Sequence, residues 1–292
     1  DAGFTFALIS DHFHPWVTNQ GQSPFVWATL GGIARATERL RLGTGVTCPI
    51  MRVHPAIIAQ AAATVGDMFE GRFFLGLGAG ENLNEHVIGE QWPQPAVRQE
   101  MLQEAVEIIR ALWEGDEVNY FGTFFTVDEA KLFTVPERTP DIYIAASGGQ
   151  AARLAGEQDG LISTSPQRDL VESFEAAGGR GKPRIGQFAV CYGEDVQRAR
   201  QTAHRMWPNA GIPGNVNWEV KTVEHFDQLV ENVTEEQVAQ SIICGPDPAP
   251  VLEKIQAFVD AGFDHVYIHQ VGHDQEAFFD WASREIVPKF QQ

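Results

Sequence analysis

The sequence predicts an α/β protein with parallel strands, either a (β/α)₈ barrel or an open doubly wound sheet. Three observations carry that expectation. Apolar strand-like runs alternate with amphipathic helical stretches along nearly the whole chain. The strand runs are continuously apolar rather than alternating, the pattern of strands covered on both faces by helices. The length, 292 residues, suits one large α/β domain spanning 1–292.

Taken in order, strands are expected over 4–10, 40–46, 73–78, 142–146, 161–163, 185–192 and 265–269. A helix begins near Pro55, with Ile57, Ile58 and Ala61 to Ala63 on its apolar side. Another covers 96–113, where Met101, Leu102, Ala105, Ile108, Ile109 and Leu112 recur at helical spacing. A third opens at Asp247-Pro248 and closes at Gly262, with proline early and glycine past the end. A last one covers about 275–290. Seven strands fall one short of a barrel, and a first strand and helix upstream of Asp1 would supply the eighth. Two segments read as insertions. Residues 118–136 are aromatic and β-rich, as in a hairpin excursion, and 207–232 are irregular, with Pro208, Pro213 and Gly214, as in a lid beside a pocket.

Composition narrows the function classes. Hydrophobic residues make up 43% of the chain and charged residues 21%, enough for a sizeable core. The net charge of −18 argues against nucleic acid or an anionic membrane as partner. Cys48, Cys191 and Cys244 are odd in number and widely spaced, so neither a disulfide framework nor a metal site is expected, and a reducing, cytoplasmic setting is. No apolar run approaches a membrane span.

Four stretches carry chemistry. The first strand ends in Ser10-Asp11-His12-Phe13-His14-Pro15-Trp16, a carboxylate, two imidazoles and an indole within six positions. Ligands sit at the carboxyl ends of strands in parallel α/β folds, and an imidazole there can move protons near neutral pH. The second stretch, Gly76-Leu77-Gly78-Ala79-Gly80-Glu81, continues to Asn84 and His86. Its glycine spacing is wrong for a dinucleotide fingerprint. Glu81 reads as a proton donor or acceptor, with a helix-capping carboxylate as the alternative. The third stretch, Leu42 to Pro49, places Gly43 and Gly45 at a strand end, where a backbone can approach a ring system closely. The fourth, Ser147-Gly148-Gly149, lies between a strand and a helix start, a plausible anion seat. No HExxH, paired CxxC, Walker loop or nucleophile elbow occurs.

Together these stretches make the chain resemble the luciferase-like superfamily of (β/α)₈ barrels, in particular its branch that uses the deazaflavin coenzyme F420, typified by F420-dependent glucose-6-phosphate dehydrogenases. The matching stretches are SDHFHPW, LGTGVTCP, HPAIIAQAAAT, GRFFLGLGAGENLNEH, YIAASGG and GHDQEAFF, which span almost the whole chain. The resemblance implies a set of roles. His12 would take the hydroxyl proton as hydride leaves for the coenzyme, Glu81 would act as the acid near the reduced ring, and Trp16 would position substrate. Asp11 and Asn84 would contact the coenzyme, and Gly45-Val46 matches a non-proline cis peptide backing its ring. Ser147, Gly148, Gly149 and Thr164 would hold its phosphate tail. A homodimer formed through helices early in the barrel is also implied.

The chain departs from that branch on the substrate side. Where a Ser-Gly-Lys would stand it has Ser165-Pro166-Gln167, and the later region around His225-Phe226-Asp227 also lacks a lysine. A phosphate dianion needs charge-assisted partners, so a small alcohol, or a carbonyl or activated alkene reduced in the opposite direction, is expected in place of glucose-6-phosphate. Two other readings stay open from sequence. One is an FMN-dependent monooxygenase or flavin reductase on the same barrel. The other is a non-catalytic coenzyme-binding protein.

Overall fold

The computed structural model describes residues 2–290. The chain runs through β1 (Phe6–Ile9), α1 (Val26–Ala36), β2 (Arg41–Thr44), α2 (Pro55–Met68), β3 (Phe73–Leu77), α3 (Asn82–Glu85) and α4 (Pro95–Trp113). An antiparallel hairpin follows, β4 (Val118–Phe121) with β5 (Thr126–Ala130). The β/α alternation then resumes with β6 (Asp141–Ala145), α5 (Gly149–Glu157), β7 (Gly160–Ser163), α6 (Arg168–Phe174), β8 (Arg184–Cys191) and α7 (Val196–Met206). It closes with α8 (Val223–Val230), α9 (Glu235–Ala239), β9 (Ile242–Cys244), α10 (Ala249–Ala261), β10 (His265–Gln270) and α11 (Gln275–Glu285).

The parallel strands pair in the order β1-β2-β3-β6-β7-β8-β10. They curl into a nearly closed barrel with helices around it. Its two terminal strands, β1 and β10, face each other across an apolar groove of about 650 Å³ lined by Phe4, Phe6, Ile255, Val259, Phe278 and Phe279 among others. The sheet also holds β9, a strand the sequence reading missed. It pairs with residues 189–191 of β8, beyond the 184–186 stretch that β7 uses. Three residues of ladder followed by Gly245-Pro246 are too short to show a period. The 207–232 segment is less irregular than expected, because Thr222 caps α8 by accepting the His225 N–H.

Local chemistry explains the ends of these elements. Pro55 and Pro95 stand at first helical positions, where no N–H is needed. Gly262 ends α10 at φ 102°, a left-handed cap. The expected strand over 40–46 stops at Thr44, and the Gly45–Val46 peptide is cis. At that point the Thr44 hydroxyl enters the ladder, donating to the Gly76 carbonyl (2.8 Å) and accepting the Gly76 N–H (3.0 Å). Backbone pairing resumes when the Thr47 N–H donates to the Gly76 carbonyl at 2.8 Å.

The barrel interior is layered. Arg41 plugs the amino-terminal end, its guanidinium 5.1 Å from the Phe74 ring centroid and donating to the Tyr143 hydroxyl at 2.6 Å. Above it Phe74, Tyr143, Ile162 and Ile185 are buried against Phe6, Leu8, Val46 and Tyr267. Phe74 fits because its neighbour on β2 is Gly43. A Cβ there would lie 2.1–2.4 Å from the Phe74 ring. Gly43→Ala is therefore expected to destabilise the fold by about 1–3 kcal/mol through overpacking. Chemical denaturation checks this, and an unchanged midpoint would mean the ring has room to move.

Candidate active site

The layer above the aromatic one is made of three small side chains and one imidazole. Side chains alternate along a strand, so residues two on from the inward-facing Leu8, Tyr143, Ile162 and Tyr267 also face inward. These are Ser10, Ala145, Thr164 and His269. Gly78 lies flat against Val46, since a Cβ on it would fall 2.6 Å from a Val46 methyl. These side chains and the loops beyond them stand over an apolar floor at the carboxyl end of the barrel, the candidate slot.

His12, Trp16 and Glu81 converge on this slot from the β1 and β3 loops. His12 Nε2 stands 3.9 Å from a Glu81 carboxylate oxygen, close enough to face it and too far for a hydrogen bond. Both side chains are about one-fifth exposed. His12 Nδ1 lies 3.3 Å from the His14 carbonyl. A carbonyl only accepts, so that nitrogen carries the proton and Nε2 presents a lone pair. The Trp16 ring sits 5.2 Å from the His12 ring and rests edge-on against Phe226 of α8. Glu81 occupies the position before α3 but makes no side-chain cap to it, so the helix-capping alternative does not hold. Gly80 makes its approach possible. It has φ 72°, and a Cβ on it would lie 2.4 Å from the Cys48 sulfur.

Beneath this pair lies a buried charge network that the sequence reading did not assign. Arg52 donates to one Asp11 carboxylate oxygen at 2.8 Å, and the Thr47 hydroxyl donates to the other at 3.0 Å. Glu85, fully buried, accepts the Arg52 backbone N–H at 2.8 Å, and its other oxygen lies 3.5 Å from Arg52 Nε. Burial pushes the Glu85 carboxyl up to about 7 against the pull of Arg52, and Glu81 and Asp11 add to the rise. Below the ordinary carboxyl range both folded and unfolded chains hold this proton. From there to about pH 7 only the folded chain holds it, so raising the pH through that window favours unfolding. The melting temperature of Glu85→Gln is therefore expected to gain on that of the unsubstituted protein between pH 5 and pH 8. A constant gap across that range would show that Glu85 does not hold the proton.

The residues implied for the coenzyme fall into two groups. Gly45, Val46, Ser147, Gly148, Gly149 and Thr164 all lie at the carboxyl ends of β2, β6 and β7. Gly148 stands at the start of α5, and a Cβ on it would meet nothing within 4 Å, so bare backbone faces open space there. A helix start of that kind suits a phosphate. An apolar floor beside a bare helix start is the residue chemistry that a planar ring with an anionic tail calls for. Asn84 and Asp11, the other two, make hydrogen bonds within the protein. The Asn84 side-chain oxygen accepts the Phe13 and His14 N–H groups (2.9 and 3.2 Å), and its nitrogen donates to Glu81 at 3.2 Å.

On the neighbouring β10, burial lowers His269 to about 4, so its ring is neutral at physiological pH. Trp207 meets it edge-on at 4.7 Å. Gln20 links the Trp16 segment to the end of α7, accepting the Trp16 N–H at 2.8 Å and donating to the Met206 carbonyl at 3.0 Å. The signals for these missed residues were slight. Glu85 stands four residues after Glu81, one helical turn on, and His269 lies in phase with Tyr267.

Known proteins match this chain and its fold. The family model described as luciferase-like monooxygenase matches residues 1–265. A relative in Nocardia farcinica named F420-dependent glucose-6-phosphate dehydrogenase is 36% identical, aligned over 99% of this chain and 90% of its own length. One of the same name in Gordonia bronchialis is 33% identical over the same shares. Among solved structures, an F420-dependent secondary alcohol dehydrogenase in complex with an F420-acetone adduct superposes with a TM-score of 0.88 at 30% identity, covering 98% of this chain and 90% of that one. A coenzyme F420-dependent tetrahydromethanopterin reductase from Methanopyrus kandleri shares the fold, with a TM-score of 0.78 at 20% identity, covering 100% and 92%. The chain belongs to the luciferase-like family, among relatives that are F420-dependent oxidoreductases.

Proposed function

We propose that this protein is an F420-dependent oxidoreductase that moves hydride between the deazaflavin and a small uncharged alcohol or its carbonyl counterpart. The observation that carries the reading is the facing pair His12 and Glu81, 3.9 Å apart and walled by Trp16, at the mouth of a slot with an apolar floor. The relatives and the alcohol dehydrogenase structure supply the coenzyme class. When bound, the deazaflavin supplies a two-electron carrier for hydride. The chain's own residues supply the rest. His12 Nε2 takes the hydroxyl proton in the oxidising direction and returns it in the reducing one. Glu81, facing His12 at 3.9 Å, supplies the second group through which a proton can pass. Trp16 and Trp207 shield the reacting carbon from water, and the rings around it hold the two reactants in contact.

Charge decides between substrate classes. Arg52 is already bridged by Asp11 and Glu85. That guanidinium is therefore not free to pair with a phosphate dianion. Ser165-Pro166-Gln167 offers no cation to offset that. With two charge-assisted hydrogen bonds missing, kcat/KM for glucose-6-phosphate is expected to fall about 10²–10⁴-fold below that for a good secondary alcohol. The test follows bleaching of the F420 visible band with 2-propanol, cyclohexanol and glucose-6-phosphate, alongside binding titrations with F420 and FMN. Efficient turnover of the sugar phosphate would overturn the substrate class, and binding of FMN alone would overturn the coenzyme.

A further inference from the structure

Three segments, one after each of β1, β2 and β3, carry His12, Trp16, Glu81 and the charge network beneath them. One side chain joins all three. Arg52, in the loop after β2, reaches the Asp11 carboxylate and the Asp11 backbone carbonyl (3.3 Å) in the loop after β1, and lies against Glu85 of α3. Its side chain is 7% exposed, and those of Asp11 and Glu85 are 1% exposed. His12, the base of the reading above, directly follows Asp11. Glu81, the acid, stands one turn before Glu85. We propose that Glu85, acting through Arg52, is a positioning residue, and that the buried Asp11–Arg52–Glu85 bridge holds the His12 loop in register with Glu81.

Two further facts support this. The bridge is doubled on the other side of α3 by Asn84, which pins the Phe13 and His14 N–H groups and touches Glu81. The peptide carrying His12 is thus held at both ends by consecutive residues of one helical turn. A residue with only a packing role would not need its carboxylate, yet Glu85 keeps one with no exposure to water, facing Arg52, Asp11, Glu81 and the buried Cys48 thiol. One Glu85 oxygen and Arg52 Nε have no short partner besides each other. A small shift would close that contact, so the bridge has room to tighten when the slot is filled.

The proposal rests on the oxidoreductase reading for its consequence in turnover but not for its geometry, and the test separates the two. Glu85→Leu removes the acceptor of the Arg52 N–H, while Glu85→Gln retains an oxygen there. Hydrogen exchange at residues 11–16, measured on the whole protein without coenzyme, is expected to quicken about tenfold or more in Glu85→Leu and to stay near the unsubstituted rate in Glu85→Gln. With F420 and an alcohol, Glu85→Leu should lose about tenfold or more in kcat with little change in KM, and Glu85→Gln should recover most of it with an altered pH profile near neutrality. Unchanged exchange at 11–16 in Glu85→Leu would overturn the proposal whatever the turnover. Unchanged kcat in both variants would overturn it as well. Should the unsubstituted protein prove inert with F420 while the exchange contrast holds, the bridge stands and the functional reading falls.

Discussion

His12→Ala is expected to lower kcat by about 10²–10⁴-fold and to leave F420 binding within about threefold. The reasoning starts from the hydrogen bond at Nδ1. Because the His14 carbonyl fixes the proton on that nitrogen, Nε2 is the basic one, and it points toward Glu81 across 3.9 Å. Removing the imidazole removes the acceptor for the hydroxyl proton at the moment hydride leaves. A water in the vacated space can substitute in part, which sets the lower end of the range. The floor of the slot is built by Val46, Gly78 and Ala145 and is untouched, so affinity for the ring survives. Fluorescence titration and steady-state kinetics together check the two halves. Loss of binding with kcat preserved would mean that His12 holds the coenzyme instead.

Arg52→Met is expected to destabilise the fold by about 3–5 kcal/mol, because removing one partner of a buried ion pair strands the other. For a chain of this size that lowers the melting temperature by roughly 6–15 °C. The loss falls on Asp11, whose carboxylate would keep only the Thr47 hydroxyl. Glu85 already titrates near 7 and can take up a proton, so the penalty should be larger at pH 8 than at pH 6. Pairing Arg52→Met with Asp11→Asn should return part of the lost stability. Calorimetry checks both, and a shift under about 2 °C would show that water reaches the network.

The β/α alternation was legible in the sequence because strands buried on both faces are unbroken apolar runs, as in residues 73–77. Strand β9 escaped notice because its three residues form ladder only with the tip of β8. The end of β2 was misplaced by two residues because backbone pairing there gives way to the Thr44 hydroxyl, which no propensity records. The site divides in the same way. His12, Trp16 and Glu81 stand in dense local motifs at strand ends, and the fold brings them together. Arg52, Glu85, Trp207 and His269 come from separate parts of the chain, and only folding makes them partners. The bridge joins residues 41 and 33 positions apart, a separation at which one sequence carries no pairing signal.

The central claim is that two facing side chains run proton transfer for hydride exchange with F420. Its most direct test is the anaerobic rate of F420 bleaching by a secondary alcohol, measured for the unsubstituted protein and for the doubly substituted His12→Ala, Glu81→Gln protein with coenzyme bound to both. The account predicts bleaching by the first and a rate lower by about 10³-fold or more in the second. Equal rates in the two proteins would contradict it.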